Sequence, residues 1–142
     1  MKLSTKGRYG VLALYDLAQG YGQGAVALKG IAERQGISEN YLEQLMGTLR
    51  KAGFVKSIRG AQGGYMLARE PEKITIGEII VAMEGPIAFA DCMLMNGDEP
   101  YVCEKAAGCG RRGVWAKIGT RINEVLNSIT LAELCSNPAG EL

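Results

Sequence analysis

Apolar side chains return every three or four residues through most of this chain, and the places where they stop doing so divide it. Tyr9, Val11, Leu12, Ala13, Leu14, Tyr15, Leu17 and Ala18 cover most of a helix circumference. That breadth predicts a helix capped by Thr5, running to about Gln19 and buried on more than one side. Gly20-Tyr21-Gly22-Gln23-Gly24 ends it. Leu28, Ile31 and Ala32 mark one face of a second helix over about 28–35, with Gly36 as a left-handed stop. Ser38 is the next N-cap, and Tyr41, Leu42, Leu45, Met46 and Leu49 follow at helical spacing until Gly53. Two short helices across a glycine-containing turn outline a helix-turn-helix, an outline that any αα-hairpin shares.

The period then changes to two. Phe54 to Arg59 alternates as a strand, Gly60-Ala61-Gln62-Gly63-Gly64 is a glycine-rich turn, and Tyr65-Met66-Leu67 returns. A hairpin directly after a recognition-type helix is the wing of a winged helix, and it separates this pattern from a plain αα-hairpin. Thr75-Ile76-Gly77-Glu78 is a capping box, with Ile74 and Ile79 as its hydrophobic staple. The helix it opens carries Ile76, Ile79, Ile80 and Met83 and stops at Gly85-Pro86. From about residue 90 to 113 periodicity is lost. A polar, glycine-containing stretch of that length needs either a function or disorder to account for it. Val114, Ile118, Ile122, Val125, Leu126 and Ile129 restore the helical repeat, and Thr130-Leu131-Ala132-Glu133 offers a capping box for a short last helix. The expected fold class is mainly α with a small β-hairpin wing. A winged helix-turn-helix domain spans 1–86, a cysteine-containing loop 87–113, and a dimerisation helix with C-terminal tail 114–142.

At 142 residues and 47% apolar, the chain can form one domain and a dimerisation element. Its apolar runs are too short to cross a bilayer, and no apolar run follows Met1–Lys6 to make an export signal. The cytosol is the expected compartment, with no membrane partner. The net charge of +1 hides an asymmetry: residues 1–75 hold 11 Lys/Arg against 6 Asp/Glu, and residues 76–142 hold 5 against 9. A basic half suits nucleic acid, although a solvated surface with chance segregation has the same balance. On the helix that begins at Ser38, the outward residues Glu39, Asn40, Glu43 and Gln44 can read base edges, Gln pairing with adenine and Glu accepting from cytosine N4. Tyr41 can turn its ring to the core and its hydroxyl to a phosphate. Lys6, Arg50, Lys51, Lys56 and Ser57 suit phosphate contacts, which position without reading sequence. Arg59 and Gln62, in a tip that Gly60 and Gly63 allow to approach closely, suit a minor groove. The plainer alternative is a solvated helix face and lysines that serve solubility.

The chain holds four cysteines and no histidine. Cys92, Cys103 and Cys109 share the aperiodic stretch, among Asp91, Asn96, Asp98, Glu99, Glu104, Lys105, Arg111 and Arg112. Such soft ligands suit an iron–sulfur cluster or zinc, against the alternative of ordinary reduced thiols. Cys135, beside Leu131 and Leu134, reads as a small core residue or a spare ligand; Asp91, Glu104 or a group from a second subunit compete for a fourth position. The apolar stripe of the long helix has few elements left to cover it. A second subunit would cover it and would set two wings on a pseudo-palindromic site. No nucleophile elbow or phosphate loop is present, so an enzyme is not expected.

Several strings are more specific than these patterns. They are Ser4-Thr5-Lys6-Gly7-Arg8-Tyr9-Gly10, Ile31-Ala32-Glu33, Ile37-Ser38-Glu39-Asn40-Tyr41-Leu42-Glu43-Gln44-Leu45, Leu49-Arg50-Lys51-Ala52-Gly53, Ser57-Ile58-Arg59-Gly60-Ala61-Gln62-Gly63-Gly64-Tyr65 and Glu84-Gly85-Pro86-Ile87. Through them, about residues 1–134 resemble the IscR/NsrR/CymR-type family of bacterial winged-helix iron–sulfur transcriptional regulators. The N-terminal half is most similar to the CymR type and the cysteine loop to the IscR type. The resemblance implies a cytoplasmic homodimer on double-stranded operator DNA, acting as a repressor. It implies a cluster on Cys92, Cys103 and Cys109, 2Fe-2S in preference to 4Fe-4S, with zinc the lesser alternative. Ten residues lie between Cys92 and Cys103 and five between Cys103 and Cys109; IscR-like members usually have a shorter first interval, and IscR itself takes as fourth ligand a histidine, a residue this chain lacks. Two rivals stand beside this reading. One is a cluster-free, CymR-like repressor of cysteine and sulfur metabolism, controlled by a protein co-regulator or by thiol oxidation. The other is a small metal- or redox-handling protein that needs no DNA.

Overall fold

The computed structural model describes residues 3–93, 95–96, 99–100, 103–105 and 107–137. The first helix, α1 (Thr5–Gln19), is capped by Ser4, whose hydroxyl accepts the Gly7 N–H at 3.2 Å. The expected cap was Thr5, one residue too late: the capping oxygen must sit on extended backbone to reach the third helical N–H, and Ser4 has that backbone. α2 (Leu28–Gln35) ends at a left-handed Gly36, and α3 (Glu39–Lys51) starts from Ser38, as the pattern predicts.

β1 (Val55–Ile58) and β2 (Gly64–Leu67) form the expected antiparallel hairpin, pairing Val55 with Leu67 and Ile58 with Gly64. A partner outside the pattern joins them. Val26 and Tyr65 exchange backbone hydrogen bonds of 2.8 Å each way, so the segment before α2 edges the wing. A Cβ at Gly64 would collide with the Val26 carbonyl, so only glycine permits this approach. The other end of the hairpin is tied to α3 by Phe54 N–H donating to the Leu49 carbonyl at 3.0 Å.

After a single 3-10 turn at Pro71–Lys73 comes α4 (Ile76–Glu84). It opens with the full Thr75–Glu78 capping box, and Ile74 and Ile79 are both completely buried, as a staple requires. Burial pushes the Glu78 carboxyl up, but the Thr75 N–H and the Arg69 guanidinium outweigh it and hold the group below its ordinary range. The aperiodic stretch contains elements that were not expected, a turn at Asp91–Met93 and a short antiparallel pair, β3 (Met95–Asn96) with β4 (Glu99–Pro100). α5 (Arg112–Ser128) begins two residues earlier than its apolar repeat, and α6 (Leu131–Ser136) carries the second capping box.

The core is built round α1, which buries Ala13, Leu14, Asp16, Leu17 and Ala18 and packs against α2, α3, α4 and α6. Ile31, Leu42, Leu45, Met46, Leu49, Ile74 and Ile79 complete it. The chain's last helix is part of this core. Ile76 N–H donates to the Ile129 carbonyl at 2.9 Å, Leu131 N–H to the Ile74 carbonyl at 3.0 Å, and Leu131 is 0% exposed. Leu131→Ala is therefore expected to lower unfolding free energy by about 2–5 kcal/mol, the range for a large-to-small change in a close-packed core. Urea denaturation checks this; a loss well under about 1 kcal/mol would place α6 outside the cooperative unit.

Candidate functional site

α3 divides cleanly. Leu42, Leu45, Met46 and Leu49 face the core, and Glu39, Asn40, Glu43 and Gln44 are exposed. Ser38 is exposed as well, but its hydroxyl is used within the chain, accepting the Tyr41 N–H at 3.3 Å. Tyr41 is half-buried. Its ring stands edge-on to Tyr9 of α1, with centroids 5.9 Å apart, as expected for a residue shared between core and surface. At the far end of α3, Arg50 Nη1 donates to Ser57 Oγ of β1 at 3.5 Å, so the basic end of the helix and the first strand of the wing are neighbours. Lys51 and Lys56 are exposed beside them, and Lys6 is exposed in the first turn of α1.

At the wing tip Arg59, Gly60 and Gln62 are exposed. Gly63 has a reason of its own: a Cβ there would strike the Ile58 carbonyl, so the hairpin's backbone demands glycine whatever the tip touches. Among the described residues, none of Lys6, Arg50, Lys51, Lys56 or Arg59 takes part in an ion pair.

One polar constellation went unread. Asp16 lies within the apolar run of α1, and its side chain is only 2% exposed. Arg34 of α2 grips it with two parallel bonds, Nε to Oδ2 at 2.9 Å and Nη2 to Oδ1 at 2.8 Å, and Gln35 Nε2 adds a third at 3.0 Å. The hydrogen bond to Asp16 also makes the Arg34 guanidinium harder to deprotonate. The signal for it was an aspartate between Leu14 and Leu17, where an unpaired charge is costly. The clamp fixes α2 on α1, and α2 leads through Gly36 and Ser38 into α3. Arg34→Ala should cost about 1–3 kcal/mol by leaving a buried acceptor with one donor. Arg34→Lys should recover only part, because lysine cannot make the paired bonds. Equal stability of all three proteins in urea would show the clamp to be incidental.

Cys92, Cys103 and Cys109 are each half-buried. Backbone N–H groups of Arg111 and Arg112, with the Arg111 guanidinium, hold the Cys109 thiol below its usual range. Cys135 differs: it packs against the core, and burial pushes its thiol up. Three thiols in polar surroundings are the right kind of donor for a cluster or zinc. Among the described residues, no three Cys, Asp or Glu side chains gather within ligating reach. The described side chains therefore match such a group in chemistry and do not converge on it. Among the described residues, too, no helix is long and apolar enough to cross a membrane.

An exposed helix face followed by a hairpin wing defines a winged helix-turn-helix protein of the DNA-binding class. The chain belongs to the Rrf2 family, whose model, described as an iron-dependent transcriptional regulator, matches residues 3–137. It is 46% identical over 141 residues to the HTH-type transcriptional regulator CymR of Bacillus subtilis strain 168, covering 99% of this chain and 94% of that one. The solved structure of B. subtilis CymR, called there the global cysteine regulator, superposes with a TM-score of 0.79 over 96% of this chain and 97% of that one. The HTH-type transcriptional regulator IscR of Sodalis glossinidius is 44% identical, covering 96% of this chain and 80% of that protein. The structure of T. potens IscR gives a TM-score of 0.77 at 49% identity over all of this chain and 92% of that one. The protein is thus a DNA-binding transcriptional regulator and not an enzyme.

Proposed function

We propose that this regulator is a cytoplasmic homodimeric repressor that reads a pseudo-palindromic operator through α3 and the wing, and whose DNA affinity is set by an iron–sulfur cluster. The observation that carries the DNA half is the exposed face of α3 joined, through Arg50 and Ser57, to a wing whose basic side chains have no ion-pair partner among the described residues. Glu39, Asn40, Glu43 and Gln44 meet base edges, Glu43 accepting from a cytosine N4. Lys6, Tyr41, Arg50, Lys51, Lys56 and Ser57 meet phosphates, and Ser38 holds the helix end that approaches them. Arg59 and Gln62 reach the minor groove on a tip that Gly60 and Gly63 keep compact.

The dimer is supported by α5, which leaves Val114 and Val125 54% and 59% exposed, with Trp115 and Ile118 beside them. Ile122 and Leu126 line an apolar cleft with Leu3, Ile80 and Ile87. A second copy of α5 covers this face, and two DNA heads are then held at a fixed separation.

Cys92, Cys103 and Cys109 would hold the cluster, 2Fe-2S before 4Fe-4S and zinc last. Burial of Cys135 favours Asp91, Glu104 or a group of the second subunit as the fourth ligand. Such a cluster supplies a crosslink that oxidants, nitric oxide or iron shortage can remove. The chain's part is to carry that change to the heads, since the cysteine stretch lies between α4 of the head and α5. A second reading is supported by the likeness to CymR: cluster-free control of sulfur metabolism through a protein co-regulator or thiol oxidation. The reading without DNA binding does not survive the family assignment.

Anaerobic purification with iron, sulfide and zinc analysis separates the two. Each of Cys92→Ser, Cys103→Ser and Cys109→Ser should abolish the visible chromophore and leave a folded dimer, while Cys135→Ser mostly retains it. Full iron content in the triple variant would defeat the ligand assignment. A colourless parent with reactive thiols would favour the second reading. For DNA, Lys56→Ala should weaken all sequences about equally and reduce the salt slope by about one per contact. Arg59→Ala should weaken operators with A·T-rich minor grooves most. If both variants bound like the parent in titrations across salt, the wing would not touch DNA.

A further inference from the structure

Along α5, one side chain after another is exposed or half-exposed, and its one buried position is Gly119. Met93 covers it. A Cβ at Gly119 would come within 2.6 Å of Met93 Cε and 3.9 Å of its Sδ, so the methionine tip occupies the place where a side chain would stand. Gly113, on the same helix, has nothing within 4 Å of its own Cβ position among the described residues. Glycine weakens a helix interior, so a buried one with a side chain seated on it has a packing reason that Gly113 lacks. An unbranched thioether is also the side chain best able to fill such a gap.

Met93 closes the turn at Asp91–Met93, its N–H donating to the Ala90 carbonyl at 2.9 Å, and the turn packs against α5. Its neighbour in the chain is Cys92. At the other end of the cysteine stretch, the Cys109 carbonyl accepts the Arg112 N–H at 3.2 Å, at the start of the same helix. Both ends of the stretch are thereby referenced to one rigid rod. From Arg112 to Gly119 is about two turns, or about 10 Å at the α-helical rise.

We infer that Met93 and Gly119 form a knob and seat that fix Cys92 along α5 and so set its placement relative to Cys109. Both are positioning residues: neither is a ligand, and each acts through Cys92. Their bearing on a cluster rests on the function proposed above; the seat itself does not.

The test uses the full-length apoprotein and iodoacetamide, with alkylation at each cysteine followed by peptide mass spectrometry. Met93→Ala empties the seat, and Gly119→Leu fills it from the helix side. Each should raise the alkylation rate of Cys92 by roughly tenfold, because the turn then opens locally. Cys109 and Cys135 should keep their parental rates, and Met93→Leu and Gly113→Ala should behave like the parent. After reconstitution with iron and sulfide, Met93→Ala should lose its visible absorbance to a chelator several-fold faster than the parent, and Met93→Leu should not. A parent that takes up no chromophore overturns the cluster reading alone, since the alkylation rates decide the seat independently. Unchanged Cys92 rates in both Met93→Ala and Gly119→Leu, or parallel rises at Cys109 and Cys135, overturn the inference.

Discussion

A fifteen-residue helix with apolar side chains on nearly all sides cannot rest on a surface, and the architecture follows from enclosing α1. Its own apolar run contains one carboxylate, Asp16, which can be buried only with a donor set to match. Arg34 and Gln35 supply that set from α2. Asp16 thus holds α2 on α1 together with the buried Ile31 and Ala32, and the short link of Gly36, Ile37 and Ser38 then leads into α3. The exposed face of α3 is what remains once Leu42, Leu45, Met46 and Leu49 have been spent on covering α1.

The wing is held by the same logic on a smaller scale. Two strands of four residues make a marginal sheet by themselves. Here the hairpin gains a backbone edge at Val26, a carbonyl anchor at Leu49, and burial of Phe54, Val55 and Leu67 against the core. Among the described residues the tip makes no such contacts, so glycines and charged side chains can occupy it. The glycines divide by cause: Gly64 makes room for Val26 and Gly63 for the turn's own carbonyl, and both would be required without any DNA.

The cysteine stretch is built differently from the head. Among the described residues its contacts to α5 include Met93 on Gly119 and the Cys109 carbonyl at the start of that helix. The head is closed by a buried core and by the return of α6 beside α4. A segment joined by two ends to one helix can change its interior without disturbing that core. Cooperative units of high and low stability within one chain are arranged in this way.

The helices and the wing were legible in the linear order of residues, whereas the turn at Asp91–Met93 and the β3–β4 pair were not. Caps at Ser38, Thr75 and Thr130, the change of period at Phe54 and the breadth of the apolar stripe in α1 all act within three or four residues, so neighbours alone determine them. The exposed residues of α3 and of the wing followed from the same periodicity, and the family from strings lying between Ser4 and Ile87. What adjacency could not show were pairings between distant residues. Asp16 meets Arg34, Val26 meets Tyr65, Ile74 meets Leu131 and Met93 meets Gly119 only after the helices have packed. Each is chosen by shape and by the need to satisfy a buried group, and those constraints exist only once the tertiary structure has brought both partners to one place.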